Sequence, residues 1–420
     1  MRLRVGLLLG VLLGWGLPSA ADILYNVTDL GTLNGAILIG NSLNNAGQVV
    51  GGAVTFRGSA NRAFLYSNGQ VIDLGTLGGS QSGAYGINNA GQITGNASTS
   101  SGAGHAFLYS NGQMQDLGTL GGSLSTGRGI NNAGQVTGES ATSTGATHAF
   151  LYSNGQTQDL GTLGGPNSYG EGINNAGQIA GSSDTSAGNR HAFLYSNGQM
   201  ADLGTLGGLY TLSYGIAINN TGQVAGDSAI PTSTGDVLTT HAFLYSNGQM
   251  QDLGTLGGSN SFAYGLNNAG QVVGVSLTAT GARDPFLYSN GQMVGLYNLI
   301  DLTQLNPTLR GLPLVPTSIN DQGQIVAYQF YEFCNDSCFG GGSSYLLTPI
   351  PEPNTWALLG MALLGLAGWA QSFVRYWCSA RLRALPLHWE NPGREINRSS
   401  QKKRRGARGF DIHRRSHARD

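Results

Sequence analysis

The chain reads as an all-β protein, a seven-bladed β-propeller of four-stranded repeats about 43 residues long. Three observations predict this. A phrase close to HAFLYSNGQMQDLGTLGGS recurs, its phenylalanines falling at Phe64, Phe107, Phe150, Phe193, Phe243 and Phe286, in steps of 43, 43, 43, 50 and 43. An Asn-Asn or Asn-Asp turn occurs seven times, beginning at Asn44, Asn88, Asn131, Asn174, Asn219, Asn267 and Asn320. The array opens on a strand with no partner before it, residues 23–33, and closes on one with none after it, residues 344–347. Pairing these orphans completes a seventh blade, three strands plus one, and leaves no open sheet edge. An open β-solenoid is the alternative; it leaves both orphans unexplained and needs caps. Units of this period bury their apolar faces only against neighbours, which directs the search for function to a displayed surface.

Each element of the repeat has its own signal. In the second unit strand c spans 105–110, with Phe107 and Tyr109 directed to one face and Leu108 to the other. Apolar side chains on both faces suit stacked blades better than a sandwich, whose outer face is polar. Asn111-Gly112 supplies the two positive φ angles of a type I′ hairpin turn. Strand d follows at 113–120, and a Gly-Gly-Ser linker leads to strand a at 126–131. The turn at 132–134 then returns the chain as strand b, 135–140.

The flanks differ from the array. Residues 1–21 carry a basic start, an apolar run of 13 residues and small residues before Asp22, the pattern of a signal peptide too short to span a bilayer. The repeat array occupies 22–349. Residues 350–374 hold about 20 uncharged positions between Trp356 and Val374, long enough for one transmembrane helix, with Trp356, Trp369, Tyr376 and Trp377 near its ends. The basic tail, 375–420, is expected to be disordered and cytoplasmic, since 13 of the 21 basic residues follow position 370.

Pro351, Glu352 and Pro353, followed by Thr355-Trp356 and a small-residue-rich apolar span, resemble a PEP-CTERM sorting signal. The resemblance implies a Gram-negative bacterium that makes exopolysaccharide, an exosortase-type processing enzyme as partner, and display at the cell surface or release from it. Here the sequence continues for about 50 residues beyond the signal, as a basic tail or as the product of a frameshift or read-through. The array itself is similar to the HAF repeats of bacterial extracellular proteins, with Arg62 and Asp284-Pro285 replacing His-Ala and the last unit lacking the motif.

Composition narrows the classes of function. Between 22 and 349 stand 17 acidic residues against six arginines and no lysine, a net charge near −11, which disfavours nucleic acid and anionic lipid as partners. Cys334 and Cys338, four apart on the exported side, are read as a loop-stapling disulfide in preference to free thiols. Cys378 is read as a spectator thiol.

Insertions mark the variable rim. The fifth unit lengthens its b–c loop (227–240) and the seventh carries the cysteine segment (331–343) in the same place. Binding residues concentrate on variable loops held by a rigid scaffold, so the b–c rim is the candidate surface. His105, His148, His191 and His241 enter strand c on that rim, either as ligand contacts or as strand-start residues bonded to a neighbouring blade. The aspartates of the DLG-like motif, Asp29, Asp73, Asp116, Asp159, Asp202, Asp252 and Asp301, are expected to bond backbone or turn donors. Arg128 and Glu171 break the pattern on strand a, near Tyr85, Tyr169, Tyr214 and Tyr264, and suggest a polar, aromatic-lined channel mouth able to stack a sugar.

Three functions compete. A non-enzymatic surface or matrix protein leads, with exopolysaccharide or other surface proteins as partners. A carbohydrate-binding lectin-type propeller follows, which predicts near-equivalent sites in blades two to five. A propeller hydrolase or lyase would need unrepeated carboxylates facing each other across the axis. No Ser/His/Asp grouping, metal cluster or phosphate loop stands out, so no cofactor is expected.

Overall fold

The turns of the repeat set its sheets. At the six c–d hairpins, Asn68, Asn111, Asn154, Asn197, Asn247 and Asn290 hold φ of 50–53°, and the glycines after them 78–81°. These are type I′ angles, whose twist matches that of paired strands. The computed structural model describes residues 25–54, 61–207, 212–231, 239–309, 311–334 and 338–350, with the backbone alone at 331–334 and 338–340.

These residues form seven antiparallel sheets, each a meander from strand a to strand d. In blade two the strands are Gly78–Ile87, Ile93–Thr99, Gly104–Ser110 and Gln113–Asp116. Blade one adds a two-residue strand, Thr32–Leu33, beside its strand a, Ala36–Leu43. Blade seven is assembled from both ends of the array: Val315–Ile319, Ile325–Cys334 and Cys338–Pro349 are joined by Tyr25–Asp29 as strand d. Tyr25 lies opposite Pro349 and Asp29 opposite Tyr345. The three-plus-one closure is therefore present, and the open solenoid is excluded. Strand a of each blade lies against strand a of the next all the way round, so these seven strands surround the axis.

A ring of hydrogen bonds fixes the blades at their a–b turns. The first asparagine of each turn braces its own turn: Asn131 Oδ1 accepts from the backbone of Ala133 and Gln135. Its Nδ2 donates to the carbonyl of the corresponding residue in the next blade, as from Asn131 to Asn174 at 3.0 Å. The second residue repeats the scheme, with Asn132 N–H donating to Asn175 Oδ1 at 3.0 Å. Both circuits close at the seam, where Asn320 donates to Asn44 and Asp321 N–H to Asn45.

The core lies between blades. Phe107 packs with Val50, Ala63 and Leu74 of blade one, while Ala106 and Leu108, facing the other way, pack with Ile130, Val136 and Phe150 of blade three. The six motif phenylalanines are all buried, each worth about 1.5–3 kcal/mol relative to exposure. Strand b supplies a glycine beside each ring. A Cβ at Gly181 would sit 2.8 Å from the Phe193 ring and collide with the Tyr169 carbonyl.

Several boundaries differ from expectation. Strand d ends at Asp116 and strand a begins at Gly121, because Asp116 Oδ1 accepts from Gly118 N–H and turns the chain, so the Gly-Gly pair is strand and not linker. The cysteine segment of blade seven extends the b–c pair as a hairpin that places Cys334 opposite Cys338 in register; their side chains lie outside the described residues. Between blades six and seven, three short 3-10 turns span 296–309, an insertion the repeat pattern did not bring forward. Among the described residues no helix is long and apolar enough to cross a membrane. The expected signal peptide, Pro351, Glu352 and Pro353, the expected membrane helix and the tail all lie outside them.

Candidate binding surface at the channel mouth

In every blade strand a carries a β-bulge at one register position. The residue left without a partner there is Asn41, Tyr85, Arg128, Glu171, Ile216, Tyr264 or Thr317, in blade order. A bulge re-aims its side chain out of the ladder, and these seven are half-buried and differ in chemistry from blade to blade. Two further unrepeated positions join them. One lies two residues earlier on strand a; the other is its partner on strand b, as in the pairs Thr126–Glu139, Tyr169–Ser182 and Tyr214–Asp227. All three classes meet in hollows shared with the b–c side. One of about 240 Å³ includes Asn41, Gly52, Tyr85 and Asn96 together with Asn61 of the loop region. Another of about 150 Å³ includes Phe262, Tyr264, Val275 and Arg283.

The structure brings Arg128 and Glu171 together, at 4.0 Å. It also adds a residue the sequence reading passed over. Glu139 on strand b accepts from Arg128 Nη2 at 2.9 Å and from Nε at 3.1 Å. The Arg128 guanidinium lies 5.1 Å from the Tyr85 ring centre, in cation–π range. Burial opposes its charge, but the Glu139 hydrogen bond and the charges of Glu139 and Glu171 outweigh this and hold it protonated above its ordinary range. Glu171 is shifted upward: burial and the neighbouring Glu139 charge overcome the attraction of Arg128. A second cluster stands in blade four, where Arg190 bonds Asp184 at 2.8 Å and lies 4.7 Å from the Tyr169 ring centre. Burial of Asp184 is outweighed by hydrogen bonds from Arg190 and Asn167, which draw it below the usual carboxylate range. In blade five Asp227 is buried and, among the described residues, its side chain has one hydrogen bond, from Ala263 N–H at 2.7 Å; burial pushes it up to about 8.

The four histidines do not converge. His105, His148, His191 and His241 each lie 2.8 Å through Nδ1 from the motif aspartate of their own blade, not of a neighbour. Arg62 takes the same place opposite Asp73, at 3.2 Å. The reason is register: the two-residue turn sets Phe107 opposite Asp116 and so brings His105 diagonal to it. Each of these aspartates also accepts a turn N–H two residues on, as Asp159 does from Gly161. Asp301 likewise accepts a backbone N–H two residues on, from Thr303 at 2.9 Å, but it does so as the cap of a 3-10 turn, because Gly295 holds the strand-d position opposite Phe286. Among the described residues there is no cluster of three or more metal-ligating side chains.

Fold and site together define a closed seven-bladed propeller with one asymmetric face. No family model matches the chain, and no curated protein is significantly similar to it. Similar solved structures include TolB from Acinetobacter baumannii, at 13% identity and a TM-score of 0.41, over 58% of this chain and 61% of TolB. A puromycin-hydrolyzing peptidase from Mycobacterium tuberculosis is similar at 10% identity and a TM-score of 0.41, over 68% of this chain and 47% of its own. AofleA from Arthrobotrys oligospora is similar at 10% identity and a TM-score of 0.37, over 64% of this chain and 87% of its own. The chain thus spans less than two thirds of the first two. These similarities carry nothing about the chemistry of the site.

Proposed function

We propose that the protein is an exported, non-enzymatic surface or extracellular-matrix protein that presents its propeller for interaction at the channel mouth on the b–c rim. One observation carries this reading. The polar side chains that recur from blade to blade are engaged within the fold, while unrepeated ones gather on one face. Such a division separates scaffold from recognition surface. The resemblance to HAF repeats and to a PEP-CTERM signal supports export, processing by an exosortase-type enzyme, and an exopolysaccharide or biofilm setting.

A saccharide is the ligand class the mouth suits. Tyr214 is 39% exposed beside Asp227, and the charged cluster of Arg128, Glu139 and Glu171 adds hydroxyl-binding groups. This lectin-type reading has one composite site in place of the equivalent sites expected from the repeat, because the repeated histidines are engaged by aspartates. A hydrolase or lyase has less support, since Glu139 and Glu171 sit in adjacent blades and both lean on Arg128.

The test is binding of the full chain to exopolysaccharide purified from a producing Gram-negative strain, with Tyr214→Ala and Glu139→Gln variants. Loss of binding in both, with the propeller still folded at the assay temperature, supports the mouth. Retained binding in both, or none by the unaltered chain, counts against it. Fractionation with C-terminal sequencing tests the sorting, and a product ending near Pro353 is expected.

A further inference from the structure

Blade six departs from the repeat at two positions that elsewhere hold each other. Where blades two to five have histidine, it has Asp284; where they have the partner aspartate, it has Gly295. The chain then inserts the 3-10 segment before blade seven. Together these changes leave a cavity of about 890 Å³ between blades six and seven. That size lies within the range of small-molecule sites.

Its walls are largely apolar: Tyr297, Leu302 and Leu305 from the insertion, and Leu312 and Pro313 before blade seven. Most of its polar groups are engaged already. Tyr297 OH accepts from Leu314 N–H at 2.8 Å, Gln329 Nε2 donates to the Leu312 carbonyl at 2.8 Å, and Thr303 Oγ1 donates to Asp301 at 2.7 Å. Asp284 is different. It is half-buried and lines the cavity, and its carboxylate has no hydrogen bond or ion pair among the described residues. Its charge is felt at the Tyr297 ring, whose hydroxyl is shifted upward by burial first and by Asp284 in part. Arg283 also borders the cavity, but successive residues of a strand project to opposite faces, and it shares a second hollow with Tyr264.

We propose that this cavity binds a small amphipathic cation, an apolar body with one ammonium group, seated with the ammonium against Asp284 beside the Tyr297 ring. A carboxylate in apolar surroundings gains most from a ligand that brings both charge and donors. The ring adds cation–π attraction. The cavity shares Arg283 with one hollow of the channel mouth, but Asp284 and Tyr297 line neither hollow, so its fate and that of the mouth are separable.

The test is calorimetric titration of the full chain, at neutral pH and low salt, with 4-phenylbutylamine, 4-phenylbutanol and 4-phenylbutyrate. The amine is expected to bind about tenfold or more tighter than the alcohol, with the carboxylate weakest. Asp284→Asn brings the amine to the level of the alcohol. Asp284→His, which restores the residue of four other blades, does the same and guards against loss of folding. Equal binding of amine and alcohol, a preference for the carboxylate, no binding of any probe, or an unchanged amine affinity in both folded variants overturns the proposal.

Discussion

Asn320 Nδ2 donates to the backbone carbonyl of Asn44 at 2.9 Å, although 276 residues separate them in sequence. The bond is the one that links every other pair of consecutive blades, such as Asn88 to Asn131 at 2.9 Å. Its presence at the seam makes the junction between first and last blade equivalent to the rest. Asn320→Ala and Asn131→Ala should therefore destabilise alike, by about 1–3 kcal/mol each, since buried partners lose their donor. Chemical denaturation of the two variants checks this; a silent Asn320→Ala beside a costly Asn131→Ala would mean an open seam.

Arg128 and Glu139 should behave as a coupled pair. Replacing Arg128 by Leu leaves Glu139 and Glu171 facing one another without their cation, at an expected cost of about 2–4 kcal/mol. Glu139→Leu added to it should recover part of that loss. A double-mutant cycle by thermal denaturation gives the coupling, and additivity within about 0.5 kcal/mol would show the pair to be independent.

Asp227 gives the stability a pH dependence. The group ionises near 3.8 ordinarily and near 8 in the fold, so between these values the folded state keeps a proton the unfolded chain has released. Its contribution is full below the lower value and is lost as pH rises towards the upper one. Asp227→Asn removes this titration while an amide oxygen can still accept from Ala263 N–H. Melting curves from pH 5 to 8 should show the variant gaining on the parent, by about 2–4 °C for each kcal/mol. Parallel curves would contradict it.

His148 and Asp159 form a partly exposed pair at 2.8 Å. His148→Ala should cost under about 1 kcal/mol, as exposed pairs do, and leave ligand binding unchanged. Asp159→Ala should cost more because Gly161 N–H also loses its acceptor. A binding isotherm altered in His148→Ala alone would restore the histidines as ligand contacts.

What could be read from the sequence follows from what each signal encodes. The seam was legible because residues 23–33 and 344–347 each lack a partner within their own repeat, and strand pairing must be completed somewhere. Arg128 and Glu171 stood out because each puts a charge on strand a, where the other blades have none at that position. Glu139 is charged too, but its meeting with Arg128 depends on the bulge between Gly127 and Gly129, whose register no local pattern specifies. The histidine partners were misplaced for a similar reason: the diagonal from His105 to Asp116 follows from strand register and not from spacing along the chain. The 296–309 insertion carries apolar residues such as Leu296 and Leu309 in short 3-10 turns, which give neither strand nor helix periodicity.

Ring closure is tested most directly by a cross-link. Asn26 and Thr348 are Cα partners on the joined strands, and both side chains are accessible. Directly opposed residues of an antiparallel pair lie within disulfide reach. In the Asn26→Cys, Thr348→Cys variant, peptide mapping under oxidising conditions should find the two positions joined in the monomer. Free thiols at both, in a protein that melts like its parent, would contradict the closed propeller.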